Sequence, residues 1–376
     1  MEENKKNKVP NVPTLRFDIN SGWKQYKLKQ LSKIYDGTHQ TPEYKNEGIK
    51  FVSVEDINDL YATSKFITNE AFVRDFKVAP KQNDILMSRI GDIGTPAIVI
   101  KDEPLAYYVS LALIKPLDNL NSLFAKYMIE STNFQHELWK RTIHVAFPKK
   151  INKEEIGECL CFVPELSVQQ KIGSFLSLID ERIETQNKIL NGLESLRFSL
   201  SYILFRHLDR YSKLEDIANI IKGKQINGDI LNEGFSYPVY NGGINASGFY
   251  NKFNSENCIT ISEGGNSCGT VRFVKDKFWS GGHNYVIVCK NGIIDQFLYY
   301  YLKHNENKIM SLRVGSGLPN IQKSSLGEFK IKITNIEEQK KIAAKLGAID
   351  SKINNEKKLL ELFQKQKHFL LNNLFI

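Results

Sequence analysis

Apolar residues recur at alternating steps of four and three along two stretches of this chain. One stretch carries Ile172, Leu176, Ile179, Ile183, Leu190, Leu193, Leu200 and Leu204, interrupted only at Gln186 and Arg197. The other carries Ile342, Leu346, Ile349, Ile353, Leu360, Phe363, Leu370 and Leu374, interrupted at Glu356 and Lys367. Corresponding positions lie 170 residues apart, and the polar interruptions match as well. A stripe repeating every 3.5 residues is the seam of a coiled coil, because it keeps one narrow face of each helix against a partner. The pattern predicts two long helices, 164–206 and 334–376, each closing a globular unit, 1–163 and 207–333. That order is a tandem duplication. The four polar seam positions either set register and orientation or extend their polar ends past the seam edge.

Outside the helices the halves repeat one order of elements. Each opens with a short amphipathic segment, 26–37 and 211–223, ending at Gly37 and Gly223. Strand patterns follow, IKFVSV in the first half and YPVY in the second. Next comes a strand, a glycine turn and a strand: 84–100 with Gly91 and Gly94, and 258–274 with Gly264, Gly265 and Gly269. An apolar strand follows in each half, YYVSLALI and NYVIVC, and then a helix, roughly 122–140 and 295–312. A loop marked by Pro148 or Pro319 returns to a last strand and the long helix. The first half carries about a dozen more residues between its first amphipathic segment and its glycine turn. Shared plan with divergent detail suits two domains that read different targets, and drift after duplication would give the same.

Composition narrows the class. The chain has 376 residues, enough for two compact domains and their helices. A net charge of +9, from 51 Lys+Arg against 42 Asp+Glu, favours a polyanionic partner, since each neutralised phosphate releases counterions. The same excess is compatible with a merely basic soluble protein. Five cysteines without a C-x-x-C pair read as buried free thiols rather than a disulfide framework or a zinc site. The polar N-terminal segment reads as a loose tail without a signal peptide, and no apolar run is long enough to span a bilayer. The expected compartment is the cytoplasm, with no membrane partner.

The chain resembles the specificity subunit of type I restriction-modification systems over essentially its whole length. The resemblance is carried by PELSVQQKIGSFLSLID and NIEEQKKIAAKLGAID, each placed just after a globular unit. IYDGTHQTPEYKNEGIKFVSVEDI, YPVYNGGINASGFY and ISEGGNSCGTVRF carry it further. The resemblance implies an α+β protein: two mixed α/β target-recognition domains joined by two long antiparallel coiled-coil helices with pseudo-two-fold symmetry. It implies a subunit with no active site and no cofactor of its own. Each domain would read one half of a split site on double-stranded DNA, and the helices would set the gap. Two modification subunits would dock on the repeats and methylate adenine using S-adenosylmethionine. Restriction subunits would translocate and cut DNA at the expense of ATP.

Base edges are read by Arg, Lys, Asn, Gln, Ser, Thr and His, and phosphates by Lys, Arg and backbone N–H groups. In the first unit the candidates are Thr38, His39, Gln40 and Thr41 in GTHQTPEY, and Arg89, Asp92 and Thr95 at the glycine turn. Arg141, His144, Lys149 and Lys150 in the exit loop are phosphate candidates. The second unit offers Lys222, Lys224 and Gln225, then Tyr240, Asn241 and Asn245 in YNGGINASG. Asn266, Ser267 and Arg272 follow at the turn, His283 and Asn284 in the next loop, and Arg313 and Ser316 in the exit loop. Against each stands an ordinary structural role: a solvated turn, a surface ion pair for Arg89, a satisfied histidine for His144, turn chemistry for Asn241.

Enzyme signatures are missing from the sequence. There is no N-P-P-[YF] or D-P-P-[YF] segment and no G-x-x-x-x-G-K-[ST] phosphate loop, and GGNSCG is too short for a dinucleotide fingerprint. Seven histidines show no metal-ligand spacing. Two rival classes stay open at this level: a stand-alone sequence-specific DNA-binding regulator, and a coiled-coil adaptor that binds proteins only.

Overall fold

The structure is a computed structural model that describes Leu15, residues 22–315, Gly317 and residues 319–375. The N-terminal tail and Ser316 lie outside the described residues. The chain divides into two compact units, one of Met1–Gln186 with Leu359–Ile376, the other of Asn187–Lys358.

In the first unit Lys24–Lys27 (β1) pairs antiparallel with Leu160–Val163 (β9). Between them lie Ser32–Asp36 (β2), Ile49–Val52 (β3), Phe66–Ile67 (β4), Ile85–Ile90 (β5), Asp92–Ile98 (β6), Leu105–Tyr107 (β7) and Leu111–Pro116 (β8). A four-stranded antiparallel sheet has the order β2-β8-β5-β6, and a three-stranded sheet the order β4-β3-β7, with β3 and β7 parallel. The helices are Asn69–Asp75 (α1), Ser122–Glu130 (α2), Thr132–Arg141 (α3), Lys153–Gly157 (α4) and the long Leu166–Arg206 (α5). Two expectations change here. YYVSLALI is divided by a turn at 108–110, so Tyr107 and Leu111 belong to different sheets. The helix expected over 122–140 is also divided, because Ser131 is extended and its side chain accepts from the Phe134 N–H, capping a new helix.

In the second unit Arg210–Lys213 (β10) pairs antiparallel with Lys330–Ile333 (β17). A six-stranded sheet joins Ala218–Lys222 (β11), Asn284–Cys289 (β16), Ser255–Ser262 (β14), Val271–Ser280 (β15), Tyr237–Tyr240 (β12) and Phe249–Tyr250 (β13), in that spatial order. The ten-residue β15 spans both parts of this sheet, taking the place of the separate β6 and β7 of the first unit. Its helices are Leu214–Ile217 (α6), Asp295–His304 (α7), Glu306–Met310 (α8), Lys323–Gly327 (α9) and the long Ile336–Leu374 (α10). The helix expected over 295–312 breaks at Asn305, whose amide donates to the Tyr301 carbonyl at 2.9 Å.

The long helices run antiparallel within each unit. In the first, Lys367 meets Asp180 at 2.8 Å and Arg182 lies over the Phe363 ring at 6.0 Å. In the second, Glu194 meets Lys357 at 3.2 Å and Arg197 meets Asp350 at 2.9 Å. Numbers rise along one helix as they fall along the other. Every apolar seam position is buried or half-buried. The polar interruptions are drawn in: Gln186 and Glu356 are buried, Arg197 pairs with Asp350, and Lys367 reaches both Asp180 and Glu130 at 2.8 Å. Because Asp350 and Arg197 are the repeat counterparts of Asp180 and Lys367, each unit makes the same ion pair with the helices' roles exchanged.

Each unit is also plugged by the C-terminal end of a long helix. Phe375 sits 5.3 Å from Phe124 and 6.4 Å from Trp23, and Phe205 sits 5.9 Å from Phe297 and 5.1 Å from Tyr301. At the helix starts, Gln169 donates to the Asn119 and Pro164 carbonyls and accepts from the Asn121 N–H. Gln339 does the same with Gly292, Thr334 and Ile294. One buried amide thereby ties each long helix to the loop ahead of its unit's helix pair. Four cysteines are buried and Cys289 is half-buried, all free; burial pushes Cys159 and Cys161 up to about 12.

Asp180 gives a pH test of this docking. Burial pushes its carboxyl up, but Lys126 and Lys367 outweigh that and hold it below the usual range. A depressed folded-state value contributes stability that is present above the ordinary carboxylate range and lost as pH falls through the folded value. Asp180→Asn should therefore destabilise the protein at pH 7, and the gap to wild type should shrink below about pH 4. Urea unfolding at both pH values checks this; a constant gap would rule out the ion pair as the source.

Candidate nucleic-acid interface

In each unit the loops at one end of the sheets are knitted together by backbone hydrogen bonds. In the first, Gly37 lies so close to the 107–108 segment that a side-chain carbon added there would stand 2.5 Å from the Tyr107 carbonyl. Thr38 then bonds across, its N–H donating to Tyr107 at 3.2 Å and its carbonyl accepting from Val109 at 3.0 Å. The glycine turn joins the exit loop through Gly91 N–H to the Lys149 carbonyl, 2.8 Å, and Ile151 N–H to the Arg89 carbonyl, 3.0 Å. The second unit repeats these contacts. A carbon added to Gly223 would stand 2.1 Å from the Gly281 carbonyl. Gly265 N–H donates to Pro319 at 3.1 Å, and Ile321 N–H to Glu263 at 2.8 Å. His283 N–H reaches the Asn241 side chain at 3.2 Å, bringing the glycine-rich 241–245 loop to the same place.

The predicted residues divide by what their side chains do. His39, Gln40, Thr41, Asp92, His144, Lys149 and Lys150 are exposed on the first unit's loops, with Thr38 and Thr95 half-buried beside them. Thr95 donates to Asp92 at 2.6 Å, and His144 lies tilted against the Trp139 ring, 4.9 Å away, and donates to the Trp139 carbonyl at 2.9 Å. In the second unit Lys224, Gln225, Asn245, Asn266, His283 and Arg313 are exposed, and Tyr240, Asn241 and Ser267 half-buried.

Burial corrects two, Arg89 and Asn284, and protein partners engage three more. Arg89 is 5% exposed: its guanidinium pairs with Asp36 and donates from Nε to the Ile151 carbonyl at 3.0 Å, so it locks two loops and cannot reach a groove. Asn284 is buried and donates to Ser280 Oγ at 3.0 Å. Arg272 donates to the Gly243 and Ile244 carbonyls and covers the Tyr240 ring at 4.4 Å, bracing the glycine-rich loop from behind. Arg141 is held by Glu137 at 2.7 Å. Lys222 is exposed but pairs with the buried Glu263 at 2.7 Å.

The Lys222 pair holds the same place as the Asp36–Arg89 pair, one residue before the close-approach glycine and two before the turn glycine, with the charges exchanged. Sequence reasoning also passed over Val145 and Phe147, which stand 96% and 104% exposed in the first unit's exit loop, and Ile244 in the glycine-rich loop. An aromatic between His144 and Lys149 was the available signal. Among the described residues no group of three or more His, Cys, Asp or Glu could hold a metal ion, and no helix is long and apolar enough to cross a membrane.

A tandem α+β chain, with matching polar loop clusters on its two units and long helices closing both, defines the class. Residues 20–195 and 210–363 match the type I restriction modification DNA specificity domain, and the chain belongs to that family. A putative type I specificity subunit of Mycoplasma genitalium is 31% identical over 170 residues, 43% of each chain. One of Mycoplasma pneumoniae is 34% identical over 166 residues, 43% of this chain and 44% of that one. The alignments thus span less than half the length of these relatives. A putative specificity subunit of a Methanocaldococcus jannaschii type I restriction enzyme is 26% identical over 99% of this chain and 96% of its own. Among solved structures, the type I restriction-modification S subunit of M. genitalium superposes with a TM-score of 0.70 at 21% identity, covering 97% of this chain and 99% of that one. That likeness concerns the fold.

Proposed function

We propose that this chain is the DNA-sequence specificity subunit of a type I restriction-modification complex, without an active site of its own. Each unit reads one half of a bipartite site in double-stranded DNA, and the long helices set the gap. The domains that do this are 1–163 and 207–333, with helices 164–206 and 334–376. The observation that carries the reading is the paired loop cluster. Two units built on one plan expose differing sets of polar side chains suited to bases and phosphates at the same place, Thr38–Thr41 with the phosphate candidates Lys149 and Lys150 in one, Gln225, Asn245, Asn266 and Arg313 in the other. The long helices and the repeated regions at their starts would dock two modification subunits that methylate adenine, and restriction subunits would join that complex in the cytoplasm. A stand-alone regulator needs no second, dissimilar reader in the same chain.

Single-molecule sequencing of genomic DNA with and without the gene tests this. The expected result is a split methyl-adenine motif that disappears with the gene; an unchanged methylome defeats the proposal. Removing one heptad near the midpoint of each long helix shortens each by about 10 Å at ~1.5 Å per residue. The unspecified gap should then change while both half-sites persist, and an unchanged gap would dismiss the helices as its determinant.

A further inference from the structure

We infer that Phe147, with Val145 beside it, is an apolar wedge that the first unit inserts between stacked base pairs of its half-site. The inference rests on the DNA-reading function above. Both side chains stand fully in solvent. A phenylalanine left in water forgoes burial that a surface loop offers in many ways, so full exposure of two apolar groups two residues apart points to an occupant. The base of the loop is firm. Ile143 N–H donates to the Lys150 carbonyl at 2.8 Å, and Lys149 and Ile151 are tied to the glycine turn as described. The tip is therefore presented from a fixed platform.

The surroundings choose the partner. Lys149 and Lys150 follow after Pro148 and are exposed, and His144 precedes, so the apolar tip stands beside groups that favour phosphates. An apolar side chain beside cations is an arrangement by which proteins unstack a base step while holding the neighbouring backbone. The tip is also continuous with the Asp92 turn through Gly91 and Lys149, placing it within the loop cluster that reads the half-site. The corresponding loop of the second unit closes in the same way, Val314 N–H to Asn320 at 2.8 Å, but its sequence VGSGLPN holds no aromatic residue. Leu318, the counterpart of Phe147, lies outside the described residues, and the wedge is inferred for the first unit.

The test uses the full chain on duplexes carrying the motif read from the methylome, alone for fluorescence and with its modification subunit only for retention, because an adenine methyltransferase flips its own target base. 2-Aminopurine replaces adenines one at a time through both half-sites. Wild-type binding should raise fluorescence at one step in the half-site that the first unit reads. Phe147→Ala should abolish that rise and weaken binding roughly 5- to 100-fold, while Phe147→Trp should keep both. Specific binding with no rise at any position, or a rise that survives Phe147→Ala, overturns the wedge and leaves the reading function standing. So does a Phe147→Ala chain that binds DNA normally but no longer retains the modification subunit, which would make the tip a protein contact. Wild-type chain that binds every duplex equally overturns the reading function itself, and the wedge with it.

Discussion

Arg89→Glu is expected to destabilise the first unit by about 3–5 kcal/mol, because it puts a second carboxylate, itself buried, against Asp36. Arg89 is buried among backbone it organises and Asp36 is about three-quarters covered, so a glutamate at 89 would be held against the carboxylate with little solvent to screen it. The replacement also orphans the Ile151 carbonyl that Arg89 Nε satisfies. The second unit shows that the opposite polarity is tolerated in this architecture, since Lys222 and Glu263 form the reversed pair. Adding Asp36→Lys to Arg89→Glu should therefore recover part of the loss, a coupling of ~1–3 kcal/mol in a double-mutant cycle. Recovery stays incomplete for two reasons. Lys153 lies 3.7 Å from Asp36 and would face a new cation, and Glu263 has a Tyr285 hydroxyl at 3.0 Å that the first unit does not supply. Urea unfolding of the four proteins measures the cycle; strict additivity would mean that the two side chains do not sense each other.

Phe205→Ala and Phe375→Ala should each cost about 3–5 kcal/mol, the range for deleting a buried aromatic ring. Phe205 is 3% and Phe375 4% exposed. Each sits among rings that cannot collapse into the space: Phe297 and Tyr301 around one, Trp23 and Phe124 around the other. Phe375→Ala should raise hydrogen exchange in the first unit, at 120–134 and 369–375. Phe205→Ala should do so in the second, at 200–208 and 297–302. Conservative Leu variants should restore most of the protection by refilling the volume. If either Ala variant unfolded at the wild-type urea concentration, the aromatic plug would be an incidental contact.

The helices were legible before any coordinates because a coiled-coil seam is written locally. Every 3.5 residues an apolar side chain must face a partner, whoever that partner is, and the two ladders declare their equivalence by matching even at Gln186 and Glu356. The division of YYVSLALI was not legible, since an apolar run reads the same in one strand or in two strands of different sheets. Nor was the break at Ser131, where a serine that a helix would tolerate turns extended and caps the next helix. Arg89, Asn284 and Arg272 read as groove-seeking residues because polar side chains beside glycines usually face water. Their partners lie 53, 4 and 28–29 positions away, and only folding brings Asp36 and the Gly243–Ile244 carbonyls within reach.

The sequence by itself determined the duplication, the two long helices and the loops where chemistry is presented, since each of these follows from periodicity and turn composition within a short window. The tertiary structure decided which polar residues are spent on holding those loops and which remain free to meet a ligand. It also decided that the two units keep one ion pair with opposite polarity, and that Phe147 faces water. Those outcomes depend on burial, which is a property of what comes to lie beside a residue, and no local pattern records it.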